Sequence, residues 1–594
     1  MHEAIAWVRA NAMRLTSVEA GHGCADLEAL RHIIGKARIV SLGEATHGTR
    51  EFFQLKHRAL EFCVAELGFT VFAIEASYPE CLRINDHVLT GAGNPAEALA
   101  SQRFWTWDTE EVLALIEWMH AWNRTHARKV KFYGFDMQFP TEAALNVLDY
   151  LQRVAPDLAA ASKGPLWPLC DDISADRFHL LSDATRDAAL AAIERILDTF
   201  GREGLAWVAA SSEMDWQLAR MNALVLHQSA RLRLSLSGAT APVSRDVAMA
   251  ENVRALLELE GPDSKAVLWA HNGHARRTAY VTDDKTVIPT MGSRLHELFG
   301  REQVVVGFAF NRGSFQAIQR GVGLVDHTAE PAPEGSLDQV LAAANTPAFL
   351  LNLATAPGTG FVADWLASAP LSRSIGSVYC ADSAQKFFEP DDPRRLYDLL
   401  AFVDTTTAAR ANAAGRRSRS PAREPASAPV NLDLAGSGAV PDGWDWCAPP
   451  RLHAHSLVLS DGPSPAGGRS LRMARPSAPW NWGEGRLEQT FVAEAWRGKR
   501  LHFSAAVCAE GKVPGTGAYL YIEVRRKQAL DMPWTMPASA LAITEPPVRC
   551  AHWKTYAVRI VIPDDAHTIL IGLAFAGTGA AWFADLKLET CAAS

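Results

Sequence analysis

The sequence predicts an α/β protein: a mostly parallel sheet with helices on both faces and a helical insertion, followed by a β-sandwich of jelly-roll type. Three observations predict it. Upstream of residue 406, short and nearly continuous apolar runs alternate with helical stretches. At 407–430 the chain reads TAARANAAGRRSRSPAREPASAPV, with almost no large apolar side chain. Downstream of 431 the apolar residues alternate with polar ones.

The upstream strand candidates are 37–42 (ARIVSL), 70–75 (TVFAIE), 130–135 (VKFYGF), 265–270 (KAVLWA), 304–310 (VVVGFAF), 347–353 (PAFLLNL) and 398–403 (DLLAFV). Runs this apolar fit strands buried on both faces, and helical stretches such as 51–67 and 110–126 supply the crossovers of a parallel sheet. Residues 141–258 contain no convincing strand and read as a helical insertion, with amphipathic runs at 186–200 and 246–260. The 407–430 segment buries too little to offset its ordering entropy and reads as a disordered linker. Its Arg416, Arg417 and Arg419 read as solvated charges. The expected division is therefore a catalytic part at 1–406, a linker at 407–430 and a sandwich at 431–594. Segments such as LHFSAAV (501–507), AYLYIEVRR (518–526), YAVRIVI (556–562) and TILIGLAFA (568–576) have period two, as antiparallel sandwiches do.

Composition narrows the function. At 594 residues the chain exceeds one compact core. With 58 basic and 66 acidic residues it lacks the basic excess of a nucleic-acid grip. No run reaches the ~18 apolar residues of a membrane span. Nine scattered cysteines contain no C-x-x-C pair, which fits free thiols in a reducing compartment. A cytoplasmic protein with neither a nucleic-acid nor a membrane partner is expected.

The chemistry stands at the strand ends. The first strand runs into Gly43-Glu44-Ala45-Thr46-His47-Gly48. The second ends at Glu75, the third at Asp136, and the fourth at His271-Asn272-Gly273-His274. Carboxyl ends of parallel strands share one edge, where open α/β folds bind ligands. One acid after a strand is commonly a cap or a satisfied loop residue; four such strand ends together point to a site.

These residues resemble the erythromycin esterase family. The segments that carry the likeness are SLGEATHGTREFFQLK, GFTVFAIEA, FYGFDMQ, RDVAMAENV (245–253), WAHNGHARR (269–277) and YDLLAFVDTTTAA (397–409), over about residues 30–405. The resemblance implies hydrolysis of an ester or lactone, macrolide-like lactones included, by water activated on a histidine. It places His47 as general base, Glu44 and Glu75 as the two carboxylates, and His271 and His274 as the paired histidines. Lys56 stands where macrolide-cleaving members carry arginine, a point charge in place of a planar fork. Lys56, Asp136 and Arg50 are expected to bind substrate.

The residues support that chemistry by themselves. An unperturbed imidazole near pKa ~6.5 accepts a proton from water at neutral pH. A carboxylate from Glu44 or Glu75 would orient the ring, and His271 or His274 would stabilise the oxyanion or protonate the leaving alcohol. Gly43 and Gly48 would let the loop backbone lie close to substrate. No cofactor is expected. Two alternatives stay open: a divalent metal held by the histidines and acids, and a non-catalytic binding or scaffold protein that retains the crevice. No G-x-S-x-G is present for a serine hydrolase. Gly358-Thr359-Gly360-Phe361-Val362-Ala363 matches a dinucleotide turn only as a lone motif. In the sandwich, Trp480 and Trp482 alternate in APWNWGEG. They suggest a carbohydrate-stacking face, beside the plainer reading of a docking or self-associating module.

Overall fold

In the computed structural model each apolar run of the upstream part becomes a strand. The structure describes all residues except 171–174, 176–177, 237–242, 320–322, 413–424, 437, 439, 448–454, 461–463, 476–483, 512–516, 527–538 and 592–594. Arg416, Arg417, Arg419, Trp480 and Trp482 lie outside the described residues. Two compact units emerge, residues 1–137 with 244–422 and residues 138–243 with 423–594.

The first unit is built on a mixed sheet: β1 (Ala12–Arg14), β2 (Ile39–Leu42), β3 (Val71–Ser77), β4 (Lys131–Asp136), β5 (Ala266–Trp269), β6 (Gln303–Gln319), β7 (Gly323–Ala329), β8 (Ala348–Asn352) and β9 (Leu399–Thr406). The spatial order is β1-β8-β9-β6-β2-β5-β3-β4, with β7 paired to β6. All pairings from β9 across to β4 are parallel. The three pairings β1–β8, β8–β9 and β6–β7 are antiparallel. The sheet is thus mostly parallel. Both faces are covered, and β6 displays the split: Val304, Val306, Phe308 and Phe310 join one apolar cluster, while Val305 and Ala309 join another. Helix α1 (Arg50–Leu67) contributes Phe52, Leu60 and Phe62 to the first cluster. The N-terminal helix His2–Asn11 contributes Ala4, Trp7 and Val8 to the second.

The register of β3 on β4 slips between Ile74 and Ser77. Such a bulge kinks a strand and re-aims its side chains, and Glu75 sits inside it.

In the second unit, two five-stranded antiparallel sheets face a shared apolar core. Strand Gly517–Arg526 sends Leu520, Ile522 and Val524 into that core. Tyr519 and Tyr521, between them, lie on the opposite face and are equally buried. The cover comes from Trp167, whose ring stacks on Tyr519 with centroids 5.7 Å apart. The helical segment thus packs on the outer face of this strand. The sequence placed 141–258 as an insertion in the upstream part, whereas by contact 138–243 groups with the sandwich and helix α2 (Arg245–Leu259) with the first unit. Among the described residues no helix is long and apolar enough to cross a membrane.

Candidate active site

Glu44 and His47 lie on the loop that leaves β2. That loop is pinned by a backbone bond from Ile375 to Ala45 O, 2.7 Å. The glycines of this loop serve packing: a Cβ on Gly43 would lie 2.2 Å from Asn272 Oδ1, and one on Gly48 would lie 2.1 Å from Gln316 O. The close approach expected toward substrate is an approach to neighbouring protein.

Three side chains form a buried line. His47 Nδ1 bonds Glu44 Oε1 at 2.7 Å. Glu44 Oε2 accepts from Lys56 Nζ at 2.5 Å and from Trp269 Nε1 at 2.9 Å. Lys56, from the first turns of α1, has 0% exposure and sits 4.3 Å from the Trp269 ring centre. Burial pushes its ammonium down to about 8, against the upward pull of Glu44 and Glu75. With no exposed surface, Lys56 reaches Glu44 and not a substrate. The His47 ring meets Trp107 edge-on at 5.5 Å and His271 at 4.9 Å. Its Nε2 bonds to no described residue.

A second cluster gathers on β3, β4 and α2. Helix α2 docks on β4 through Asn252 Nδ2, which donates to Phe135 O at 3.0 Å. This sets Arg245, its first residue, over two strand ends. Arg245 Nη2 donates to Glu75 Oε1 at 2.8 Å and to Asp136 Oδ2 at 2.7 Å, and Nε donates to Asp136 Oδ1 at 3.1 Å. Asp136, fully buried, therefore anchors Arg245. Burial alone would raise the Glu75 carboxyl, but the His274, Arg245 and His47 charges hold it well below the usual carboxylate range.

The two histidines of the fourth strand end differ. His271 Nε2–H donates to Ile375 O at 3.1 Å, its Nδ1 accepts from Gly273 N–H at 3.1 Å, and its own N–H donates to Glu75 Oε2 at 3.0 Å. Burial, followed by the nearby His47 and His274, pushes its pKa well down. It is a neutral ring with both nitrogens engaged. His274 Nδ1 meets both oxygens of Asp246 at 2.9 Å. Asp246 in turn accepts from Met291 N–H at 2.8 Å. His274 Nε2 faces Glu75 Oε1 at 3.3 Å and Arg245 Nη1 at 3.1 Å. Burial opposes its charged form, yet Asp246 and Glu75 outweigh this and raise its pKa. The metal alternative does not fit these donors, which turn to separate partners. Among the described residues no group of three or more His, Cys, Asp or Glu could hold a metal ion.

Of the expected residues, Glu44, His47, Lys56, Glu75, Asp136, His271 and His274 come together. Arg50 does not: it pairs with Glu111 at 3.4 Å and Glu19 at 3.8 Å. Sequence reasoning missed Arg245, Asp246, Trp107 and Trp269 as site residues. Trp107 Nε1 donates to Glu75 O at 2.9 Å. For Arg245 a signal existed. A cation at a helix N-terminus opposes the dipole, so an arginine opening RDVAMAENV needs anions in front of it.

The erythromycin esterase family model matches residues 64–406. An Escherichia coli erythromycin esterase type II is 25% identical over 401 residues, covering 61% of this chain and 90% of its own. A putative hydrolase, YbfO, of Bacillus subtilis is 24% identical over 368 residues, covering 58% and 80%. A solved Bacillus cereus protein shares the fold with TM-score 0.62 at 22% identity, covering 69% of this chain and 98% of its own.

Proposed function

The chain belongs to the erythromycin esterase family, a family of hydrolases, and from that premise we propose that it cleaves a carboxylic ester or lactone with water as nucleophile and His47 as general base. One observation carries this reading: the buried line Lys56–Glu44–His47. Glu44 holds the Nδ1–H tautomer, which leaves the Nε2 lone pair for a water proton. Lys56 and Trp269 fix the other oxygen of Glu44, so the ring is held before substrate arrives. As water adds to the carbonyl carbon, its proton passes to Nε2. When the C–O bond breaks, the departing alkoxide takes a proton from His274, whose charged form Asp246 and Glu75 favour. His271, Asp136 and Lys56 act through their neighbours, without touching substrate.

The test is mass spectrometry of linear esters and lactones incubated with the protein. A gain of one water in at least one compound is expected. No gain across both classes would end this reading.

A further inference from the structure

Arginine has five N–H donors and no acceptor. In Arg245, Nε spends its one N–H on Asp136, and Nη2 spends its two on Glu75 and Asp136. Two N–H groups remain on Nη1. The described partner there is His274 Nε2 at 3.1 Å, which accepts only while it carries a lone pair. Whichever way His274 is protonated, at least one N–H of Nη1 has no partner among the described residues. The side chain keeps 19% of its surface exposed, although the carboxylates that grip it are buried. Because Glu75 and Asp136 come from adjacent strands, the guanidinium is gripped from two sides and cannot swing freely. Glu75 Oε2 accepts from the N–H of His271, whose ring lies 4.9 Å from that of His47, so the two clusters adjoin.

A tie between strands would need only Nε and Nη2. A cation locked by two carboxylates with one donor left open is preorganised for an oxygen that gains charge. We propose that Arg245 is a further catalytic residue: its open Nη1–H receives the carbonyl oxygen as water adds, and afterwards holds the carboxylate product. The assignment rests on the ester or lactone reading above. In the step, the water oxygen bonds to carbon and the carbonyl π pair moves onto oxygen beside Nη1. The pair returns as the alkoxide leaves. No bond forms to Arg245.

The experiment uses the full chain as wild type, R245K and R245Q. It measures kcat and KM on any ester the wild type turns over, and butyrate affinity by titration calorimetry as a carboxylate probe. Loss of an oxyanion donor costs about 10²–10³-fold in kcat, so R245Q should fall by that order with KM little changed. R245K keeps a cation between Glu75 and Asp136 and carries the test if R245Q does not fold. It should also lose roughly tenfold or more in kcat, because an ammonium cannot serve both carboxylates and still present a fixed donor. Butyrate should bind more weakly to both variants. A kcat of R245K within twofold of wild type, or equal butyrate affinity in wild type and R245K, overturns the assignment. If wild type turns over no ester yet binds butyrate through Arg245, the hydrolase reading fails and the carboxylate site stands.

Discussion

His47 and His274 carry the same device in opposite settings. Each gives Nδ1 to a carboxylate, Glu44 at 2.7 Å and Asp246 at 2.9 Å. Glu44 is answered by the Lys56 ammonium and the Trp269 N–H, whereas Asp246 is answered by the single backbone N–H of Met291. The Nε2 atoms differ as well. His47 Nε2 bonds to no described residue, while His274 Nε2 lies beside Glu75 and Arg245. In the proposed reaction the first carboxylate–imidazole pair receives a proton and the second delivers one, and the groups that answer each carboxylate are where the two differ.

Removing the answer to one carboxylate should break that contrast most severely. In Glu44→Gln, Lys56 is a buried charge without its partner, and His47 loses an anionic acceptor. Stability should fall by about 3–5 kcal/mol, the cost of breaking a buried pair. Loss of turnover accompanies it. Thermal melts and kinetics check both, and a melting temperature equal to wild type would mean that Lys56 is not held by Glu44.

Asp246→Asn sharpens the comparison from the other side. Asp246 helps raise the His274 pKa, so the imidazolium persists to higher pH in the wild type. The amide keeps an acceptor for Met291 but removes the charge. The alkaline limb of kcat against pH should move to lower pH, and the His274 ring resonance should titrate lower by NMR. An unmoved limb would detach His274 from proton delivery.

Stability against pH offers a further check. Glu75 is held below its ordinary range in the fold. Its contribution is therefore fully present above about pH 4.5, the unfolded value, and is lost as pH falls further. The urea midpoint should drop on acidification below that point, and more steeply in wild type than in Glu75→Gln. Equal slopes would place the acid loss elsewhere.

The smallest effect is expected at Arg50, whose partners Glu111 and Glu19 stand at 3.4 and 3.8 Å. Pairs of this kind contribute roughly 0–1 kcal/mol, so Arg50→Ala should leave both turnover and melting temperature near wild type.

The contrast between the histidines was half legible in the sequence. Continuous apolar runs located β2 to β5, and parallel pairing put their ends on one edge, which gathered Glu44, His47, Glu75, Asp136, His271 and His274. Period and propensity carry that information. They do not carry which acid faces which base. Lys56 reads as a substrate contact because it stands where macrolide-cleaving relatives carry arginine, yet its ammonium packs on Trp269 and Phe308. Arg245 and Asp246 stood inside a stretch taken as an insertion, more than a hundred residues from β4, and only the folded chain brings them to Asp136 and His274. The edge strands β1 and β7 escaped notice for a related reason: a three-residue run and a polar, half-exposed run show little periodicity. In the sandwich, period two located the strands but not the cover that Trp167 lays over Tyr519.

In the proposed reaction His47 accepts the proton of the attacking water. Its most direct test is kcat of His47→Ala beside wild type on an ester the wild type hydrolyses, with melting temperatures of both. General-base catalysis contributes about 10²–10⁴-fold, so turnover should fall by that order while the melting temperature stays close to wild type. A variant that hydrolyses the ester at the wild-type rate would contradict the account.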